Sequence, residues 1–365
     1  MHLGTWWRSG RQPAVRWSGR RALMAAAWLV AATATAAAPE PTVLRVVGGL
    51  AGVNQYLRHE EPFWSQELPG LSAGRLRADI VPFDRAGIRG ADMVRLMQLG
   101  VVSFGTLLVS QASGQDPLLG AVDLAGLNPD IASLRRHLAA FRPLLAERLR
   151  ERHGIELLAV YTYPAQMVFC NKPLASLGDL AGRKVRTSSP TQADWVEALG
   201  GTAVTTPFAE IVQQMRSGGL DCAVTGSMSG NTIGLHEVTT HIHTLPITWG
   251  LSYFGANRAA WLALPADLRQ LLNRELARLE HDIWLESDHE TGEGQACNIG
   301  AQACVGGRKG RMAEVRATPA DVRRQREIFA STVLTRWLQR CGAGCAEAWN
   351  RTLGPVSGTM APRGP

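Results

Sequence analysis

The stretch from Ser176 to Met228 constrains the fold more than any other, because short β-type segments alternate there with helical spacing through very tight joints. Val185 and Thr187 are β-branched and flank Arg186 in a first short strand. Ser189, Pro190 and Gln192 then read as N-cap, N1 and N3 of a helix, a capping box with proline where its missing N–H costs nothing. Ala193, Val196 and Leu199 give that helix an apolar side, and Gly200-Gly201 stops it. Thr202 to Thr206 is a second strand, Thr206-Pro207 opens a second helix with Phe208, Ile211, Val212 and Met215 at helical spacing, and Leu220 to Thr225 is a third strand. Strand–helix–strand–helix–strand predicts a parallel sheet whose ligands sit at the carboxyl ends of its strands. Arg186 lies near one such end, just before a helix N-terminus, a suitable place for a carboxylate. Taken on local chemistry alone, it also reads as an exposed arginine in a basic turn with Arg183 and Lys184.

The composition needs correcting for its N-terminus. Arg8, Arg11, Arg16, Arg20 and Arg21 precede an apolar run from Ala22 to Ala32, and small residues follow with Ala34-Thr35-Ala36 or Ala36-Ala37-Ala38 as cleavage sites. Residues 1–38 are therefore expected to be a secretory signal peptide, the apolar run being short for a membrane span. Without those five arginines, 33 basic residues face 31 acidic ones, so the formal charge of +7 falls to +2. Nucleic-acid binding loses its main support, and no basic, aromatic-interleaved surface restores it.

Six cysteines in an exported chain point to disulfides. Cys297 and Cys304 flank a Gly-rich turn and Cys341 and Cys345 flank Gly-Ala-Gly, so both pairs are short enough to close locally, while cross-pairing stays open. Cys170 and Cys222, at the ends of expected strands, read as buried free thiols. No Cys-x-x-Cys pair supports zinc, and no cofactor is called for.

Along the rest of the chain, strands are expected at 43–47, 76–81, 101–107, 155–162 and 167–171, with a helix at 91–99. Gly48-Gly49 ends the first strand in a turn that lets the backbone approach a ligand or a helix, and Asn54, Gln55 and Tyr56 beyond it either line a cleft or start a helix. Phe63 and Trp64 are assigned to the core. Residues 130–153 are helical, with Pro143 predicting a kink or a break. His241-Ile242-His243 reads as a solvated strand and not a metal site. Trp249 lies on a probable strand, in the core or over a ligand. A long amphipathic helix runs from Pro265 to about Glu290 through Leu268, Leu272, Leu276, Leu279 and Ile283, its last turns, with His281, Asp282, Glu286 and Glu290, forming a solvated face. Residues 292–310 read as a Gly-rich disulfide loop, Thr318-Pro319 caps a last helix to about Arg340, and the tail after Leu353 is expected to be loose.

The same central stretch resembles the solute-binding proteins of TRAP (tripartite ATP-independent periplasmic) transporters, the DctP-type family. The resemblance rests on Lys172-Pro173, Leu177 to Arg186, Leu199-Gly200, Pro207-Phe208-Ala209-Glu210 and Leu220-Asp221, in the family's order and spacing. It implies two α/β domains with mixed sheets around a ligand cleft, periplasmic binding protein-like, with a long helix spanning both. On that reading domain 1 is 39–163, with 245–265 returning to it, and domain 2 is 164–244 with part of 266–340. The spanning helix is 265–290, and 291–365 holds the disulfide loop, last helix and tail. It also implies that Arg186 is the carboxylate-binding arginine and Phe208 the aromatic of the Pro-Phe turn. A second arginine of many members falls on Gln166 and an asparagine on Thr225, while Cys222 stands for the usual glycine. The turn after the second strand, with Arg85, faces the cleft in the family, and Trp249 and Asn54 complete the candidate set. The implied function is capture of a small organic anion in the periplasm by a monomer, with delivery to membrane subunits of a TRAP transporter. The alternative is a secreted α/β enzyme or a sensor-associated binding protein acting on a small carboxylate. No Gly-x-Ser-x-Gly, P-loop or His-Glu-x-x-His motif supports an enzyme.

Overall fold

The computed structural model describes residues 40–362, so the expected signal peptide lies outside the described residues. Eleven strands form two sheets. In chain order they are β1 (Thr42–Gly48), β2 (Leu76–Pro82), β3 (Phe104–Leu108), β4 (Ile155–Thr162), β5 (Gln166–Cys170), β6 (Lys184–Thr187), β7 (Thr202–Thr205), β8 (Cys222–Gly226), β9 (His241–Thr248), β10 (Leu251–Asn257) and β11 (Ala313–Val315). The first sheet has the order β2-β1-β3-β10-β4 and the second β11-β9-β5-β8-β6-β7. Both are mixed. β1, β2 and β3 are mutually parallel, as are β6, β7 and β8, with antiparallel neighbours on one side of each set. The chain crosses between the sheets at Tyr163–Ala165 and returns at Trp249–Gly250, and the two crossings touch, the Tyr163 N–H donating to the Gly250 carbonyl at 3.2 Å.

Local chemistry explains most elements. Helix α1 (Ile131–His153) starts where the Asp130 carboxylate accepts the Ser133 N–H at 2.6 Å and stops at Gly154 with φ 61°. It runs uninterrupted through Pro143, so no second helix forms there. Helix α2 (Pro190–Ala198) starts at Ser189, whose hydroxyl accepts the Gln192 N–H at 3.3 Å. The reciprocal half of the expected capping box is displaced by one residue, for the Gln192 side-chain oxygen takes the Ser188 N–H at 2.8 Å. β3 begins three residues later than its apolar run, because Val101 turns outward and is 69% exposed.

Helix α3 (Ala266–Ile299) has 34 residues and takes up 292–299 of the region expected to be a Gly-rich loop, while 300–310 is a loop. Its first half packs Leu268, Leu272, Leu276, Leu279 and Ile283 with Leu158 and Phe254 of the first sheet and with Phe63 and Trp64 on the helical segment between β1 and β2. Further on it lies against the segment Ser227–Thr232 that follows β8. A Cβ on Gly294 would sit 2.3 Å from the Met228 N atom, so glycine there permits close packing and does not mark a loop. Glu290, expected on a solvated face, is buried on this helix and accepts a hydrogen bond from Asn54.

Three further expectations are corrected. Cys170 and Cys222 are not free: they oppose each other on antiparallel β5 and β8 and form a disulfide, beside the expected local pairs Cys297–Cys304 and Cys341–Cys345. His243 is fully buried 3.7 Å from the Asp321 carboxylate and not solvated. The described part of the C-terminal tail, to residue 362, is packed and not loose. Leu353–Ser357 is helical, and the Trp349 indole N–H donates to the Thr359 carbonyl at 2.7 Å.

Candidate functional site

The carboxyl ends of the two parallel strand sets face each other across a cavity of about 860 Å³. Leu50, Phe83 and Leu108, which end or follow β1, β2 and β3, line one side, and Ser188, Thr206 and Gly226, which do the same for β6, β7 and β8, line the other. Tyr163 and Gly250 of the two crossings form the floor between them. Parallel strands put these ends in one place because each returns through a crossover, which is why ligands of such sheets gather there.

Arg186 is the most unusual group in this lining. It is 5% exposed, held in β6 between β7 and β8. Its Nε donates to the Thr206 carbonyl at 2.9 Å and its Nη1 to the Val224 carbonyl at 2.7 Å. Burial alone pulls its pKa down to about 10, with no carboxylate among the described residues to hold the charge. A buried cation is costly unless paired. Two of its five N–H groups are used, and the other three have no partner among the described residues.

Three more of the candidates line the same cavity: Gln166, Phe208 and Thr225. Gln166 is fixed by Gln192, whose amide Nε2 donates to the Gln166 Oε1 at 2.7 Å and to the Thr248 Oγ1 at 2.8 Å. Its Oε1 meanwhile accepts from Ser188, so all of the Gln192 amide is committed within the protein. Sequence reasoning placed Gln192 only as a helix-capping residue and missed this role, because the partners are 26 and 56 residues away.

The remaining candidates lie elsewhere. Trp249 is buried in the second crossing, its indole N–H donating to the Asn128 carbonyl at 3.1 Å, so it belongs to the core. The Asn54 side chain is turned to Glu290 on α3. Arg85 is exposed at the end of its turn, whereas its neighbours Phe83 and Asp84 reach the lining.

Two buried acids support the cleft without entering it. Asp123 accepts the backbone N–H groups of Trp249 at 3.0 Å and Gly250 at 2.8 Å, which pins the second crossing. Glu60 accepts the Gly49 N–H at 2.9 Å and the Gln55 amide at 2.7 Å, so the Gly48-Gly49 turn approaches a helix and not a ligand. Burial raises both carboxyl groups to about 7 against the opposing pull of these hydrogen bonds. A lone acid inside the apolar run Leu118–Leu127 was the available signal for Asp123.

A cleft between two α/β halves, with one unpaired cation at strand ends and two touching crossings, defines a ligand-binding receptor of the two-lobed type. The chain belongs to the DctP family, bacterial extracellular solute-binding protein, family 7, which it matches over residues 55–296. Its fold is similar to that of the Bordetella pertussis extracytoplasmic solute receptor DctP7, described as binding pyroglutamic acid, at 23% identity and a TM-score of 0.75, covering 85% of this chain and 99% of that one. It is also similar to a TRAP periplasmic solute-binding protein from Shewanella oneidensis with bound succinate, at 18% identity and a TM-score of 0.72, covering 84% and 98%. In sequence it is 26% identical to the ectoine-binding periplasmic protein TeaA of Halomonas elongata over 140 residues, 38% of this chain and 41% of that relative's length.

Proposed function

We propose that this protein is a periplasmic receptor that captures a small organic anion, a carboxylate, between its two sheets and delivers it to the membrane subunits of a TRAP-type secondary transporter. The observation that carries the reading is Arg186, a desolvated guanidinium with three free N–H groups and no internal counter-charge, aimed into a cavity of molecular size. A carboxylate seated there supplies the missing charge through a bidentate pair. The ligands named for similar structures, pyroglutamic acid, succinate, orotic acid and galacturonate, are all carboxylic acids. The protein acts as a monomer, closes about its two crossings on binding, and releases the ligand unchanged. Arg186, Gln166, Phe208 and Thr225 contact the ligand.

Native mass spectrometry of protein purified without refolding tests this. The expected result is a co-purified carboxylate that is absent from Arg186→Ala. A ligand retained by that variant overturns the site, and a ligand chemically altered on incubation overturns the receptor role.

A further inference from the structure

The charged groups around the cavity make a short set: Arg186, Arg89, Asp84 and Glu210. Their formal charges cancel, and they are not equivalent. The Arg89 side chain is 87% exposed, and its Nε is occupied by Asp92 at 2.9 Å. The Asp84 carboxylate accepts the Ala51 N–H at 2.9 Å, and Glu210 sits exposed on the turn after Phe208. Arg186 is thus the one buried cation in the lining, and its three remaining N–H groups suffice for a single bidentate carboxylate. A second carboxylate on the same ligand would lose its water in a space that offers no second buried cation and holds two acids. An unpaired charge in that position is strongly disfavoured. The rest of the lining is neutral. The Gln166 oxygen is taken by Gln192, which leaves its amino group as a donor, and Thr225 and Ser229 add hydroxyls beside Phe83 and Phe208.

Resting on the receptor reading above, we infer that this cleft selects ligands with one carboxylate and a neutral remainder bearing a hydrogen-bond acceptor, and discriminates against dicarboxylates.

Isothermal titration of the mature protein, dialysed free of endogenous ligand, with matched pairs of equal carbon number tests this: butyrate with succinate, 2-hydroxybutyrate with malate, and pyroglutamate with 2-hydroxyglutarate. The tightest binder is expected to be a monocarboxylate bearing a carbonyl or hydroxyl group, each dicarboxylate binding at least tenfold more weakly than its partner. Glu210→Lys, a change at an exposed position, is expected to narrow that gap at least threefold. A dicarboxylate that binds as well as its partner, with both lost in Arg186→Ala, overturns the selectivity and leaves the anion receptor standing. A gap that Glu210→Lys leaves unchanged overturns its electrostatic cause. Binding that survives Arg186→Ala overturns the site and this inference with it, and no binding by any of the six overturns the carboxylate-receptor reading and this inference with it.

Discussion

Arg186 and Glu60 are both ionisable groups closed off from water, one in each half of the molecule, and their surroundings treat them in opposite ways. Glu60 is fully buried behind β1 and accepts from Gly49 and Gln55 inside the protein. Arg186 meets only two backbone carbonyls among the described residues and lines the cavity. Burial shifts both, Glu60 up to about 7 and Arg186 down to about 10. A shifted pKa is therefore not the mark of a binding site here. The mark is an unfilled partnership that faces open space, and Glu60 has no face on the cavity. On the proposed function, the comparison divides the buried charges into one kept for a ligand and others kept for the fold.

The largest expected effect tests the first of these. Arg186→Ala leaves the ligand carboxylate desolvated and unpaired, which costs roughly 2–5 kcal/mol, about 30- to several-thousand-fold in affinity. Arg186→Lys also binds poorly, because an ammonium cannot reproduce the planar fork. Calorimetry beside circular dichroism reads both, and the ligand-free fold is expected to be unaffected. Unfolding of Arg186→Ala at the temperature where the parent stays folded would place Arg186 with the structural charges and break the distinction.

Glu60 should behave conversely. Its folded pKa is raised from 4.5 to about 7, so the folded state holds the proton more tightly than the unfolded state. Its favourable contribution is present below about pH 4.5 and is lost as pH rises through 7. Denaturation of Glu60→Gln and the parent from pH 4.5 to 8 should show the difference moving in the variant's favour by about 3 kcal/mol. Ligand affinity at pH 7 should stay within about twofold. A parallel pair of stability curves would mean that Glu60 titrates normally.

Asp123 is intermediate, structural in its bonds yet placed at the crossing. Asp123→Ala leaves the Trp249 and Gly250 N–H groups without their acceptor, a loss of about 1–3 kcal/mol in stability by urea denaturation. Its secondary effect is on the crossing, so hydrogen exchange at residues 248–251 should quicken more than at the β6 core. The smallest effect is expected at Arg183, three residues from Arg186. Its guanidinium reaches the Pro173 carbonyl at 2.5 Å, away from the cavity lining. Arg183→Ala should change affinity by less than about twofold and stability by about 0.5 kcal/mol. A large loss of binding there would show that charge near β6, and not the pocket geometry, holds the anion.

These contrasts follow how far each feature lies from its partners along the chain. The place of Arg186 at a strand end was legible because a strand and a helix cap sit within seven residues, whereas local chemistry also allowed an exposed arginine and its role was implied by the resemblance alone. Asn54 and Trp249 were left between a cleft and a structural role because their partners, Glu290 and Asn128, lie far away in sequence and outrank any local cue. Cys170 and Cys222 looked like unpaired thiols since 52 residues separate them, and only the register of β5 against β8 brings them face to face. Gly292 and Gly294 suggested a loop by composition, yet both are helical, and at Gly294 the close approach of α3 to Ser227 and Met228 requires a residue without a side chain.

The amino-acid sequence by itself determined the alternation of strands and helices, the parallel sets and the strand end on which Arg186 stands, and it left the pairing of Cys297, Cys304, Cys341 and Cys345 open between local and crossed. The features it determined are set by side-chain periods of 2.0 and 3.6 and by turn and cap chemistry, all of which act over a few residues. Tertiary structure alone decided that Arg186 would be buried without a counter-charge, that Gln192 would hold Gln166, and that Asp123 and Glu60 would be enclosed as supports. Burial and pairing depend on which distant segments meet across the two sheets. No local pattern contains that information until the crossings at Tyr163 and Gly250 bring the sheets together.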